Sequence, residues 1–391
     1  MAGKAYTGIE LGMHSIKLAV CDGARVSKVM VERVPDGLMS DGRPTSLDAL
    51  ADFIKRVVAA NGGASKNGVL VLPRSLAVTR RLTFPMMTVD EVKLNLPYEF
   101  RDYISDGKER FVYDYAVLAT RADLPEREEP SPEVPEGMPA GGSFGARAAA
   151  QADSASGFAP VKPVAAPQPA SAAKSGARDA DRPAGTLELL ATAARKEVIE
   201  DYAECLRRAG MRLVSAMPCT AALQNLMFYR GVDARAYETC CIVSFGFAST
   251  DLYFFNGGLF DVVRSIDLGG RDINLALGED LDMDEHLADS AKADFPDRLA
   301  ASRRVQEVCE RIAVEIGRAI NFYGFNNPNS QMAAVYYAGG ESLTEPLMRA
   351  VEARLDMPLS NVVELYPDVE QASAGASVFA PAAVGATLLM D

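Results

Sequence analysis

Tyr6-Thr-Gly-Ile-Glu-Leu-Gly-Met-His-Ser-Ile-Lys17 has an echo far downstream, Cys241-Ile-Val-Ser-Phe-Gly-Phe-Ala-Ser-Thr-Asp251. Each reads as a strand, a tight turn at a glycine (Gly12, Gly246), one or two small hydroxyl residues (Ser15; Ser249 and Thr250) and a second strand. A glycine without Cβ lets the backbone reach φ > 0 and lets its N–H groups approach an anion. One such turn is a weak signal. Two of them, one in each half of the chain, point to a duplicated hairpin that can grip phosphates from both sides.

The rest of the chain alternates strand-like and helix-like stretches, which makes the fold α/β with mixed sheets. Strands are expected over 4–21, 28–34, 68–73, 76–84, 213–216, 239–244, 249–256, 258–267 and 333–338. Helices are expected over 46–60, 88–104, 196–209, 271–276, 284–293, 303–321, 345–355 and 379–390. Ser46 or Thr45 caps the first helix. Thr88 with Glu91 three residues later makes a capping box, and Pro97 should kink the helix that follows. Asn256-Gly257 is a two-residue hairpin signal.

Residues 122–185 contain 10 of the 22 prolines, interspersed with Ala, Ser and Gly. Such a segment cannot bury enough apolar area to offset its ordering entropy, and it reads as a long disordered loop. Its strand-like flanks, 110–119 and 186–193, would pair as a hairpin with an expanded tip.

Composition narrows the function. The chain has 391 residues, 48% of them hydrophobic, and carries a net charge of −13. Without a basic run it lacks a nucleic-acid footprint, and the same charge disfavours direct binding to anionic lipid. No apolar run approaches the roughly 20 residues that span a bilayer. No signal peptide is evident at the N-terminus, so direct membrane insertion is not expected. Six scattered cysteines read as free thiols, and two histidines leave little room for a His-based metal site or a Ser-His-Asp triad.

Further pieces extend the two hairpins: Arg80-Arg-Leu-Thr-Phe-Pro85, Ala193-Ala-Arg-Lys-Glu-Val-Ile-Glu-Asp-Tyr202, Arg264-Ser-Ile-Asp-Leu-Gly-Gly270, Ala288-Asp-Ser-Ala-Lys292, Tyr336-Tyr-Ala-Gly-Gly340 and Ala383-Val-Gly-Ala386. In this order and spacing the chain resembles the PilM family of type IV pilus assembly proteins, relatives of FtsA and actin. The resemblance implies an actin/Hsp70-like two-lobed fold with an FtsA/PilM-type inserted subdomain. Residues 1–84 with the C-terminal helix 379–391 would form the first lobe, 85–216 the insertion, and 217–391 the second lobe with a helical subdomain at 272–330.

It also implies ATP or ADP between the lobes, with Mg²⁺ as the candidate metal. Gly12, Met13, His14, Ser15 and Lys17 would lie at the first phosphate turn, and Gly246, Phe247 and Ala248 at the second. Gly339, Gly340 and Glu341 would pass under the adenosine, with Lys292 near it. Two departures bear on the metal. Glu10 stands where the superfamily has the first aspartate, and Ser244 stands where it has the second; an extra methylene disturbs an octahedral site and a serine brings no charge. No catalytic residue is assigned, and hydrolysis is expected to be weak or absent.

For partners the resemblance implies the N-terminal cytoplasmic tail of a PilN-like bitopic membrane protein, with a secretion ATPase as a second candidate. The protein would then lie in the cytoplasm, peripheral to the inner membrane through its partner. The tail would dock between the first lobe and the insertion, at Arg80, Arg81, Phe84, Tyr98 and Arg101. Strand alternation puts Arg80, Leu82 and Phe84 on one face and Arg81 and Thr83 on the other. Two other readings remain open: a sugar-kinase-like enzyme, which needs an aspartate base that no cleft motif supplies, and an FtsA-like division protein, which would carry an amphipathic targeting helix after the closing helix.

Overall fold

The computed structural model describes residues 5–22, 25–40, 42–104, 107–121, 185–230, 238–328, 330–366, 368–370 and 374–388. The expectation for 122–184 lies outside the described residues. In chain order the first strands are β1 (Ala5–Leu11), β2 (Ser15–Asp22) and β3 (Arg25–Arg33), followed by the two-residue pair β4 (Met39–Ser40) and β5 (Arg43–Pro44). Helix α1 (Leu47–Ala60), β6 (Asn67–Leu72), β7 (Ala77–Pro85), α2 (Val89–Glu99), β8 (Phe111–Arg121) and β9 (Thr186–Arg195) come next. Then come α3 (Lys196–Arg208), β10 (Arg212–Pro218), α4 (Cys219–Arg230), β11 (Thr239–Phe245), β12 (Thr250–Asn256) and β13 (Leu259–Ile266). The chain continues through α5 (Gly270–Leu281), α6 (Glu285–Asp294), α7 (Pro296–Ala301), α8 (Arg303–Asn326), β14 (Met332–Ala338) and α9 (Glu345–Arg354). It closes with β15 (Leu359–Asn361), β16 (Asp368–Val369), α10 (Ala374–Ser377) and α11 (Pro381–Gly385).

The two large sheets repeat one design. The first runs β10-β6-β1-β2-β3-β16 and the second β15-β14-β11-β12-β13. In each, one strand pairs parallel on one side (β1 with β6, β11 with β14) and antiparallel with its hairpin partner on the other (β1 with β2, β11 with β12). The duplication seen in the two hairpins therefore extends to five strands per lobe.

A third sheet, β7-β9-β8, is inserted between them. Leu82 and Phe84 on β7 and Leu187, Leu189, Ala191 and Ala193 on β9 turn one face toward α2, where Val92, Leu96 and Phe100 complete a small core. Strand β7 is thus part of the insertion, whereas α3 and β10 return to the first lobe: β10 pairs with β6, and Val198, Tyr202, Cys205 and Leu206 of α3 join the core around α1.

Several local expectations shift. Thr88 and Glu91 do form the capping box, but α2 ends at Glu99, two residues after Pro97. Proline has no N–H to bond back to the previous turn, so the helix cannot propagate far beyond it, and 100–103 continue as turns. The β12–β13 turn is centred one residue later than Asn256-Gly257, on Gly257 (φ 60°) and Gly258 (φ 75°), because both central residues of this tight turn need positive φ. The closing helix is two short pieces, α10 and α11. Helix α4 has no counterpart among the expected elements; it buries Ala222, Leu223, Leu226 and Met227, and such a segment has no clear polar stripe to betray it.

The lobes meet on α11. Its Ala382, Ala383, Val384 and Ala386 share one core with Tyr6 and Val71 of the first lobe, Leu226 of α4, and Ile242 and Phe255 of the second. The approach is very close: a Cβ on Gly8 would lie 1.8 Å from the Ala383 carbonyl oxygen, and one on Gly385 would lie 2.0 Å from that of Ala222. Backbone on both sides cannot give way as a side-chain tip can. Gly8→Ala should therefore destabilise the protein by about 1–3 kcal/mol or more in urea unfolding, as overpacking does. Gly324→Ala, in α8 with nothing near the new methyl, should stabilise it by roughly 0.5–1 kcal/mol. Equal effects at the two positions would contradict the packing at α11.

Candidate functional site

The two glycine turns are built alike. Gly12 N–H donates to Ser15 O at 3.0 Å, and Gly246 N–H donates to Ser249 O at 3.0 Å. Neither glycine has positive φ. What each position requires is space, since a Cβ would lie 2.8 Å from Ser15 O or 2.7 Å from Ser249 O.

Across the cleft the turns touch. The rings of His14 and Phe247 stack with centroids 4.6 Å apart and an interplanar angle of 16°. The second turn is anchored from behind, because Gly270 N–H donates to Gly246 O at 3.0 Å and Arg271 N–H to Phe247 O at 2.8 Å. Met13 is exposed, its Sδ accepting from Gly42 N–H at 3.1 Å, and Ala248 is exposed at the tip of its turn. Lys17 is ion-paired with Glu10, its direct partner across β1 and β2.

A charged cluster sits beside the first turn. Asp289 on α6 lies 3.3 Å from His14 Nε2, 3.4 Å from Arg33 and 3.4 Å from Lys292, and accepts a hydrogen bond from Asn274 Nδ2 at 3.1 Å. Lys292 also donates to both oxygens of buried Glu341, at 2.9 and 3.0 Å, and Thr344 Oγ1 donates to Glu341 at 2.8 Å. Burial works against the Asp289 carboxylate, but Lys292, Asn274, His14 and Arg33 together hold its pKa below the usual value. For His14, burial lowers the pKa; Asp289 pulls it up, while Arg33 and Lys292 push it further down. The imidazole is therefore neutral at pH 7, and its contact with Asp289 is a polar contact between a neutral ring and a carboxylate.

Gly339 closes the floor of the second lobe. Its φ of +98° belongs to glycine, and a Cβ there would lie 2.3 Å from Phe245 O. Around Gly340 an added Cβ would meet open space. The structure thus brings His14 and Phe247, and Lys292 and Glu341 through Asp289, into one chain of contacts where the two glycine turns meet, with Gly339 against Phe245 beside it. Arg33 and Asp289 belong there as well and were missed from sequence. Asp289 lies three residues before Lys292 on one helix face, and Arg33 pairs with Ser15 across β2 and β3, so each carried a positional hint. Asp251 is held by Arg74 at 2.6 Å and by Ser265 Oγ at 2.5 Å, a second clasp between the lobes.

The residues expected at a partner site are dispersed. Arg80 donates to Glu99 O at 2.7 Å and lies over the Tyr103 ring, on the α2 side of the inserted sheet. Arg81, on the other face, pairs with Glu188 at 2.5 Å and with Asp261 of the second lobe at 3.3 Å. Phe84 is buried in the core under α2, Arg101 is exposed, and exposed Tyr98 lies under Lys108. A groove of about 410 Å³ opens elsewhere, between the β8–β9 face of the insertion and the first lobe at β10 and α4. Val112, Ala116, Leu190 and Met217 wall it, with Asp114 and Asn225 as polar groups.

Two five-stranded repeats with facing glycine turns and an inserted sheet define an actin-like protein. The family of type IV pilus assembly protein PilM matches residues 8–130 and 177–378. The chain belongs to that family. Among solved structures, the PilM-PilN type IV pilus biogenesis complex is similar over 98% of this chain and 97% of its own, with 20% identity and a TM-score of 0.67. The ethanolamine utilization protein EutJ from Carboxydothermus hydrogenoformans is similar over 99% and 91%, with 13% identity and a TM-score of 0.52. No curated protein matches the sequence. Among the described residues no helix is long and apolar enough to cross a membrane.

The neutral His14 gives a pH signature. Because its folded pKa is depressed, the unfolded chain takes up the proton first; stability is full above pH of about 6.5 and is lost as pH falls toward the folded value. Urea unfolding at pH 7.5 and 5.5 should show this loss. His14→Phe, which keeps a ring against Phe247, should flatten it. An unchanged pH dependence in that variant would mean that another group titrates.

Proposed function

We propose that the protein is a nucleotide-binding adaptor of a type IV pilus or related secretion machine, and that it captures the cytoplasmic N-terminal tail of a bitopic inner-membrane protein. The observation that carries this reading is the groove between the inserted sheet and the first lobe. Its walls are largely apolar, and β8 on one side of it pairs with no further strand among the described residues. An extended peptide can use such an edge for main-chain hydrogen bonds and the pockets beside it for alternate side chains. The similar solved structure is a complex with PilN, which supports a PilN-like partner here. Docked in this way, the protein would lie on the cytoplasmic face of the membrane without inserting.

The nucleotide would lie in the cleft between the lobes. The backbone turns at Gly12 and Gly246 would face its phosphates, with His14, Arg33 and Lys292 supplying donors, and Gly339 and Gly340 would let the chain pass close beneath the adenosine.

Fluorescence anisotropy with the N-terminal tail peptide of a PilN-like bitopic membrane protein tests the adaptor reading. Ala116→Trp would fill the groove from an exposed strand position and should weaken binding by about tenfold or more, roughly 1.4 kcal/mol. Tyr98→Ala, on the far side of the insertion, should bind normally. Loss of binding in Tyr98→Ala with retention in Ala116→Trp would move the partner site to the α2 face. No binding by the unaltered protein would end the adaptor reading.

A further inference from the structure

The actin-like fold implies a divalent cation beside the nucleotide phosphates, held through carboxylates at the ends of the first strand of each lobe. The donors at those places in this chain do not suit one. Glu10 and Lys17 face each other directly across β1 and β2, and the ammonium is bonded to Glu10 Oε1. Both side chains are largely buried, 22% and 15% exposed. Burial above all, with a smaller push from the Glu10 carboxylate, raises the pKa of the Cys219 thiol and of the Tyr366 hydroxyl, so those groups lie within electrostatic reach of the pair. The equivalent place in the second lobe is Ser244, whose strand partner is Asp251. That carboxylate is taken by Arg74 and Ser265.

The remaining carboxylates beside the turns are also satisfied. Asp289 has Lys292, Arg33, His14 and Asn274, and Glu341 has Lys292 and Thr344. A magnesium ion needs near-octahedral oxygen ligation and keeps its waters only where carboxylates can receive them. Here each candidate carboxylate already holds a cation or a hydrogen-bond donor. Among the described residues, no group of three or more His, Cys, Asp or Glu is placed to hold a metal.

We propose that this site binds its nucleotide as the metal-free anion, with the Lys17 ammonium standing in the place of the divalent cation and Glu10 serving as the anchor that fixes it. The inference rests on the nucleotide reading above. The longer glutamate side chain suits this role, because it reaches across the strand pair to the lysine. An ammonium has three donors; Glu10 takes one, which leaves two for phosphate oxygens in a partly buried site.

Thermal shift and calorimetry with ATP and ADP, run once in excess EDTA and once in millimolar Mg²⁺, read the claim directly. The dissociation constants should agree within about twofold in the two buffers. Lys17→Gln should weaken binding in EDTA by about tenfold or more and make it recoverable by Mg²⁺, because Glu10 is then released, whereas Lys17→Arg should behave like the unaltered protein. Should Lys17→Gln fail to fold, the comparison of buffers with the unaltered protein still decides. Titration of the nucleotide-free protein with Mn²⁺, followed by electron paramagnetic resonance, should show no saturable site. Binding by the unaltered protein that vanishes in EDTA and returns with Mg²⁺ would overturn the proposal, as would a saturable Mn²⁺ site that Glu10→Gln removes. Absence of any nucleotide effect in both buffers would instead remove the nucleotide reading itself, and this inference with it.

Discussion

Everything in this molecule hangs on the close approach of α11 to β1 and α4. The helix carries small residues at Ala382, Ala383 and Gly385, and it meets Gly8 and Ala222 backbone to backbone. Only residues with little or no side chain permit two main chains to come so near. The contact is sealed by Asn225, whose Nδ2 donates to Gly385 O at 3.1 Å. Around it runs a core shared by both lobes, so the lobes have a common floor instead of two separate ones. A cleft above a shared floor can close without losing its base.

The closing contacts are polar and of a different kind. His14 stacks on Phe247, Arg33 and His14 reach Asp289, and Arg74 reaches Asp251. Each joins an element of the first lobe to one of the second. Such contacts, partly open to solvent, are individually weak beside the apolar floor. The apolar floor therefore does more to hold the lobes together than the contacts at the turns. The insertion is tied in the same fashion: Arg81 joins Glu188 within the insertion to Asp261 on β13, and Tyr323 of α8 donates to the same Asp261 at 2.8 Å. One side chain therefore links the sheet beside the groove to the helical part of the second lobe.

The four carboxylates around the turns show how charge is used at this site. Glu10, Asp251, Asp289 and Glu341 each receive a lysine or arginine. Desolvating a carboxylate is costly unless it is paired, and a chain with a net charge of −13 has carboxylates to spare. The cations that pair them are the same groups that could meet phosphate, so the local balance in the cleft is set pair by pair and does not follow from the overall charge.

Local patterns in the sequence determined a good deal. The two hairpins with their glycine turns, the Thr88–Glu91 capping box and the α/β alternation all depend on residues a few positions apart, and all are present. The family followed from short motifs in order. Tertiary structure alone decided what depends on distant partners. That β10 pairs with β6 and returns α3 to the first lobe is a matter of which edge was free, and β7 joins the insertion because β9 lies beside it. Helix α4 was invisible because burial removes the periodicity by which a helix is read. Glu10 and Lys17 were each legible, but their pairing needed the strand register; Asp289 gathers His14 and Arg33 from 256 or more residues away in sequence. A residue's type and neighbours tell what it can do, and only the folded chain tells which partner has already claimed it.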